Sequence, residues 1–487
     1  MTATVLEPES VTLTNAQPTR RAESRRAQLQ WAETPIANRL LVLRQARYEL
    51  ARTSDLLVDA IAPELHRTRA DSYAAEVLPL LASCHFLEKQ AAKILKPRRL
   101  GRRGLPFWLA GIDSTIERTP LGLVLIIAPS NYPLFLGGAQ TLQALAAGNA
   151  VVWKPGRGGR PVAEAFEAAL RLAGLPEGLL RITDDSPEAA MIEIDACPDK
   201  IVFTGSAQAG RAVLRQAADV AIPVTVELSG SDAVVVLESA DKARVVDSLA
   251  FGMRLNGSAT CMAPRRLFLV GGGHEDLIAN LRDRFAAMDG IDIGLRTRNQ
   301  LNGLIEQAER NGAIVCGSPR SLEMKPILIL NGRPEMEIAQ ADIFAPVLTV
   351  LHATTAGEVL RADNFCPFGL TVAIFGDERA ALALGRKLNV GTVLVNDLIV
   401  PTADPRVPFG GRRGSGFGTT RGAEGLLEMT AAKVTSVRKD KSARHFQATG
   451  SGHEELFRGA LEMSHSPGLG QRFAGLRRMI AAAKNLK

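Results

Sequence analysis

The chain has no C-x-x-C pair. Its five cysteines, Cys84, Cys197, Cys261, Cys316 and Cys366, stand too far apart for a zinc or redox motif. An odd, low cysteine count suits a reducing cytoplasm better than a disulfide framework. The first 26 residues contain no apolar stretch of the kind that directs secretion, and no uninterrupted run of ~18 apolar residues reads as a membrane span. Internal repeats and low-complexity segments are also missing. An excess of basic charge is nearly missing from the body. The formal net charge is +7, but residues 438–487 alone hold ten Lys/Arg against four Asp/Glu. A near-neutral body argues against a nucleic-acid groove.

What is present is the composition of a globular enzyme, 46% hydrophobic and 22% charged, in a chain of 487 residues that is too long for one core. Residues 1–25 read as a mobile lead-in. From Ala27 to Lys96 the spacing is helical, with Leu40, Leu43, Ala46 and Leu50 on one stripe. Short apolar runs then alternate with helical stretches: Gly122–Pro129, Asn149–Pro155, Lys200–Ser206, Pro223–Gly230 and Asp232–Glu238. Continuous apolar runs of this length, separated by helices, predict parallel strands covered on both faces. RRLFLVGG, AIVCG, LTVAIFG and GTVLVN predict a second α/β domain. The segment LGQRFAGLRRMIAAAKNL can form a basic amphipathic helix.

Several residues can carry chemistry. Cys261 lies in NGSATCMAPRR; a lone cysteine is usually a small buried hydrophobe, and a nucleophile needs an ionisable thiol and an oxyanion site besides. Glu227 closes the run VTVELSG and reads either as a solvated strand-end carboxylate or as a partly desolvated general base. Asn131 sits between two prolines in PSNYP, as a turn residue or as a fixed amide donor to an oxyanion. The turn FTGSAQAG follows a strand and opens a helix, so its backbone N–H groups can face a phosphate, although it is not the G-x-G-x-x-G fingerprint.

These motifs occur in one order: P-x-N-x-P, V-x-K-P, F-T-G-S, E-L-x-G, a cysteine 34 residues after that glutamate, I-F-x-P-V and P-F-G-G-x-x-x-S-G-x-G. The ordered set, over roughly residues 30–438, resembles the aldehyde dehydrogenase superfamily. The resemblance implies an α/β fold with a doubly wound NAD(P)-binding domain (26–101 and 121–229) and an α/β catalytic domain (230–414). A small β oligomerisation arm (102–120 and 430–440) and a basic C-terminal extension (441–487) complete it. It implies Cys261 as nucleophile, Glu227 as the base that activates water, and Asn131 as oxyanion donor. Lys154, Gly205, Ser206, Asp342 and Phe344 would hold the cofactor, NAD or NADP, and no metal is called for. Arg157, with Arg160 nearby, stands where an acidic residue is frequent, which favours acceptance of a 2′-phosphate. Departures from the family pattern are Ser130, Ser229, Ser231, Ser258, Ala259, Asp342 and Ala345.

The implied reaction is oxidation of an aldehyde to a carboxylic acid through a thiohemiacetal and a thioester. Glu227 favours hydrolysis over transfer to CoA, since CoA-acylating relatives typically lack it. Gly137, Gly138 and Ala139 would leave space in an apolar tunnel for medium-chain, long-chain or aromatic aldehydes. No lysine or arginine marks a substrate-carboxylate clamp. The expected partner is a small-molecule aldehyde, in a cytoplasmic homodimer or homotetramer. A scaffold or membrane-associated role through the basic tail is the rival from a different class, and is not favoured.

Overall fold

The structure, a computed structural model, describes residues 16–439, 446 and 448–486. One compact unit holds the described residues up to 97 together with 117–433; the other holds 98–116 and the described residues from 434 onward.

The first unit contains two large sheets and a two-stranded one that pairs Phe368–Gly369 with Arg412–Arg413. In the first, the strands run in the order Gly416–Phe417, Val224–Leu228, Lys200–Gly205, Leu123–Ile127, Ala150–Lys154, Leu180–Ile182. All are parallel except Gly416–Phe417, which pairs antiparallel with Val224–Leu228. The apolar runs fall on these strands because parallel strands are buried on both faces: Leu123–Ile127 and Ala150–Lys154 are buried throughout. Chain order turns back at Leu123–Ile127. The next two strands lie to one side of it and the last three to the other, which is the doubly wound pattern. The crevice at its carboxyl ends, between Leu123–Ile127 and Lys200–Gly205, is where such sheets take ligands.

The chain changes sheets between Leu228 and Asp232. The second sheet runs Ile314–Cys316, Ile327–Gly332, Val347–Ala353, Pro264–Val270, Asp232–Val236, Thr371–Phe375, Thr392–Val395, parallel except for its first strand.

The N-terminal helices pack on the first sheet's core. Leu40, Leu43, Ala46 and Leu50 are buried as their spacing predicts. The lead-in expected over 1–25 differs in its last ten residues. The helix Ala16–Glu33 begins there, and Arg21 donates to the Cys197 carbonyl while Arg25 pairs with Asp199. Residues 1–15 lie outside the described residues.

The tunnel expectation for Gly137, Gly138 and Ala139 needs correcting. They lie in the helix Phe135–Ala147 and are buried. A side chain at Gly137 would run into the Trp153 indole, and one at Gly138 would press on Leu80 and Phe166. The glycines let the helix backbone sit against the sheet; they do not open space for substrate.

The second unit carries Arg98–Arg99, most of Ile112–Pro120 and most of Thr430–Arg438, which form a three-stranded sheet in the order Arg98–Arg99, Ile112–Pro120, Thr430–Arg438. Thr430–Arg438 is exposed along nearly its whole length. Two helices follow, Ser451–His465 and Leu469–Asn485. They cross closely at Gly459 and Gly475, each facing the other helix's backbone. The basic helix expected near the end is thus present, with Leu469, Phe473 and Ile480 exposed. Of the expected extension, residues 440–445, 447 and 487 lie outside the described residues.

Replacing Gly137 with alanine should overpack the helix–sheet contact and cost about 1–3 kcal/mol. The check is a lower urea unfolding midpoint, with Gly303→Ala on the open face of another helix as the unaffected control.

Candidate active site

The carboxyl ends of the first sheet's strands meet the amino ends of the second sheet's parallel strands, just before or at which Asp232, Cys261 and Asp342 lie, and the chemistry-bearing residues collect there. Glu227 lies on Val224–Leu228, is 3% exposed, and pairs across the ladder with Gly416. Phe409 and Thr420 form an antiparallel bridge. This lays the glycine-rich stretch 408–418 along Glu227, whose Oε2 accepts a hydrogen bond from the Thr420 hydroxyl at 3.3 Å. Burial pushes the Glu227 carboxyl above the usual carboxylate range, while Arg421 and the Thr420 hydroxyl oppose the rise. A carboxylate of raised pKa is a stronger proton acceptor than a solvated one, as a general base requires.

Cys261 follows an unusual turn. Asn256, Gly257 and Ser258 take left-handed φ values of 54°, 57° and 60° in succession. The thiol is held far above its ordinary pKa, first by burial and then by the negative charges of Glu227, Asp232 and Asp342, with Arg421 acting against them. The thiol and the Glu227 carboxyl are thus both shifted upward, and each feels the other's charge.

Asn131 anchors the loop that carries Cys261. Its side-chain Nδ2 donates to the Ala259 carbonyl at 2.8 Å, and the Asn256 amide returns bonds to the carbonyls of Asn131 (3.0 Å) and Ala259 (2.9 Å). Tyr132 Oη and Thr260 Oγ1 lie 2.8 Å apart. The structure thus brings Cys261, Glu227 and Asn131 to one place.

Behind them lies a group that the motifs did not reveal. Arg67 donates to Asn256 Oδ1 and to the Asn131 carbonyl, and pairs with Glu76 at 2.6 Å; both side chains of this pair are buried. Glu76 in turn accepts from the backbone N–H groups of Leu134 (3.2 Å) and Phe135 (2.6 Å), at the start of the helix after Asn131. One buried ion pair therefore ties the Asn131 turn to the Cys261 turn. Arg67 and Glu76 lie 64 and 55 positions upstream of Asn131 in a stretch that reads only as helical, so the sequence offered no signal for them.

Lys154, Gly205 and Ser206, expected to hold the cofactor, lie at the carboxyl ends of the first sheet's strands. Lys154 ends its strand, is 7% exposed, and is held below the usual lysine range by burial, against the pull of Asp185, Asp184 and Glu188. Its ammonium makes no hydrogen bond among the described residues, as suits a donor reserved for a ligand. Gly205 ends the Lys200–Gly205 strand, and Ser206 caps the 13-residue helix Ala207–Asp219 by accepting from Ala209. The backbone N–H groups of that helix start face the crevice region, where a pyrophosphate is favoured. These features fit a dinucleotide.

Asp342 and Phe344 lie in the loop before Val347–Ala353. Four departures from the family pattern meet here. Ser229 hydrogen-bonds Asp342, and the buried Arg265 donates to Ser258 Oγ and to the Ala345 carbonyl, both at 2.8 Å. Burial lowers Arg265 to about 10. Arg157 is exposed on the loop after Lys154. Arg160 is already engaged by Glu164 at 2.7 Å and Asp184 at 3.5 Å. Asn396, just past its strand, binds both backbone groups of Gly376 and stands apart from this set.

Comparison with known proteins fits this geometry. A profile of the Aldehyde dehydrogenase family matches residues 12–435. The chain belongs to the aldehyde dehydrogenase family. It is similar to a 4,4'-diapolycopene aldehyde oxidase of Methylomonas sp, 30% identical over 456 residues, 90% of this chain and 85% of that one. A probable coniferyl aldehyde dehydrogenase of Pseudomonas aeruginosa is 30% identical, covering 85% of this chain and 89% of its own. Among solved structures, an aldehyde dehydrogenase of Mycobacterium tuberculosis complexed with NAD+ superposes with TM-score 0.77 at 26% identity, over 87% of this chain and 90% of that one.

Two tests follow. Arg67→Met leaves Glu76 buried without its cation and should destabilise the fold by about 3–5 kcal/mol, read by denaturant unfolding. Asp232, whose carboxyl burial pushes up to about 7 against bonds from Thr371, favours the folded state while protonated. That contribution is full below its unfolded pKa of 3.8 and fades as pH rises through about 7. Asp232→Asn should flatten the decline in stability across that window, measured as unfolding midpoint against pH.

Proposed function

We propose that the chain oxidises an aldehyde to a carboxylic acid, with Cys261 as nucleophile and Glu227 as general base. The observation that carries this reading is the meeting of a partly buried thiol, a buried carboxylate of raised pKa and the Asn131 amide at the mouth of a dinucleotide crevice.

Cys261 gives its proton to Glu227 and adds to the aldehyde carbon. The alkoxide that forms is held by the Asn131 amide and the Cys261 backbone N–H. Bound NAD or NADP supplies a hydride acceptor. Loss of hydride from the tetrahedral adduct leaves a thioester on Cys261. Once that first proton has passed from Glu227 to solvent, Glu227 takes a proton from water, and the resulting hydroxide attacks the thioester and releases the acid with Cys261 as the leaving thiolate.

Lys154 serves the adenosine ribose, the Gly205–Ser206 helix start the pyrophosphate, and Asp342 with Phe344 the nicotinamide half. Arg157 is free to meet a 2′-phosphate whereas Arg160 is held by carboxylates, so acceptance of NADP rests on Arg157. The names of the two relatives favour large, unsaturated or aromatic aldehydes. The exposed strand Thr430–Arg438 suits pairing with a second copy in a homodimer or homotetramer. The exposed Leu469, Phe473 and Ile480 suit a covering surface on such a partner.

Cys261→Ala should abolish NAD(P)H formation from an aromatic aldehyde such as cinnamaldehyde. Glu227→Gln should form about one NAD(P)H per site, more slowly than wild type because the thiol has lost its base, and then stall, with the acyl-enzyme visible as a mass increment on Cys261. Unchanged steady turnover in either variant would sink the reading. Arg157→Ala should reduce kcat/KM for NADP about tenfold, as for a lost charge-assisted contact of ~1.4 kcal/mol, and leave that for NAD unchanged.

A further inference from the structure

Arg421 belongs to none of the family motifs, yet the fold places it directly after Thr420, the residue whose hydroxyl bonds Glu227. The Thr420 backbone exchanges both hydrogen bonds with Phe409. The Arg421 backbone has φ 60° and ψ 175°, a region that belongs to glycine and strains a residue with a side chain. The residue is 6% exposed. Its guanidinium lies 4.4 Å from the Phe409 ring centre and 5.7 Å from that of Phe135. Nη1 donates to the Thr402 carbonyl, and Nε is buried without a hydrogen-bond partner.

A strained, desolvated cation with an orphaned donor is costly, and an aliphatic side chain would pack between two phenyl rings at far less expense. A compensating charge must therefore lie close by. The groups whose charge reaches Arg421 are Glu227 and Cys261. Around Cys261 the other charges are the carboxylates of Asp232 and Asp342, which act in the same direction as Glu227. Catalysis asks this pocket to hold a thiolate or an alkoxide beside a carboxylate, and like charges in a poorly solvated space repel strongly. Arg421 is the cation that opposes them at both Cys261 and Glu227.

We propose that Arg421 is a positioning residue for the reaction, its buried guanidinium balancing the negative charge that Cys261 and Glu227 develop in turn. The proposal rests on the reading of those two residues as nucleophile and base. Arg421 also bonds the Thr402 carbonyl and so holds the segment before Phe409 in place, but that structural contact does not require a charge.

The test compares the wild-type chain with Arg421→Lys, Arg421→Met and Arg421→Gln. Two pH profiles are recorded for each: the rate of Cys261 alkylation by iodoacetamide, read on the Cys261 peptide by mass spectrometry, and kcat/KM for aldehyde oxidation. Loss of the cation should move the acidic limb of both profiles to higher pH by about one unit, a tenfold slower alkylation at pH 7. Arg421→Lys should stay closer to wild type than Arg421→Met. Arg421→Gln keeps a donor for Thr402 without the charge and should shift as Arg421→Met does, which serves if the methionine variant does not fold. A lower rate at every pH with the limbs unmoved in the neutral variants would overturn the proposal and leave Arg421 a packing residue. Full turnover by enzyme already alkylated on Cys261 would instead remove the nucleophile assignment, and the proposal with it.

Discussion

The site depends on a crossing of three residues. The chain leaves the first sheet at Leu228 and enters the second at Asp232, so Ser229, Gly230 and Ser231 are all that separates these two strands; the return to the first sheet at Gly416 is longer. So short a link fixes the strand ends against each other with almost no freedom. Gly230 lies beneath the Cys261 loop: a side chain there would stand 3.2 Å from the Cys261 carbonyl oxygen and 2.6 Å from Asp232 Oδ1. Ser415 ties the crossing to the glycine-rich stretch by donating to the Ser229 carbonyl at 3.0 Å. Glu227 sits just before the crossing and Asp232 just after it. The distance from base to nucleophile is thereby set by backbone packing and not by flexible loops.

The pocket built on that crossing concentrates carboxylates. Glu227, Asp232 and Asp342 are all pushed up by burial. Such an arrangement is poor for stability and useful for proton transfer, because an acceptor of raised pKa takes a proton from a thiol or a water more readily. Its cost is borne by arginines that are themselves buried: Arg421 within the pocket, Arg265 behind the Cys261 turn, and Arg67 paired with Glu76 behind Asn131.

The substitutions that set this chain apart from the common family pattern are not scattered changes. Ser258, Ala345, Ser229 and Asp342 converge around Arg265 and the nicotinamide side of the site. Serines in place of glycines there supply hydroxyls that bind Arg265 and the shortened acidic side chain, so the local network closes around different residues.

The sequence by itself determined the strands, because runs buried on both faces cannot be written with polar residues. It determined the N-terminal stripe of Leu40, Leu43, Ala46 and Leu50 through helical spacing, and the family through an ordered set of motifs. It also named Cys261, Glu227 and Asn131, whose chemistry is local to short segments. Tertiary structure decided what depends on neighbours distant in the chain. Gly137 and Gly138 read as empty space but prove to be contact points, since nothing in their own segment mentions Trp153 or Leu80. Arg67, Glu76 and Arg421 lie in no motif of the sequence, and a charge shows its burial only once another part of the chain has folded over it.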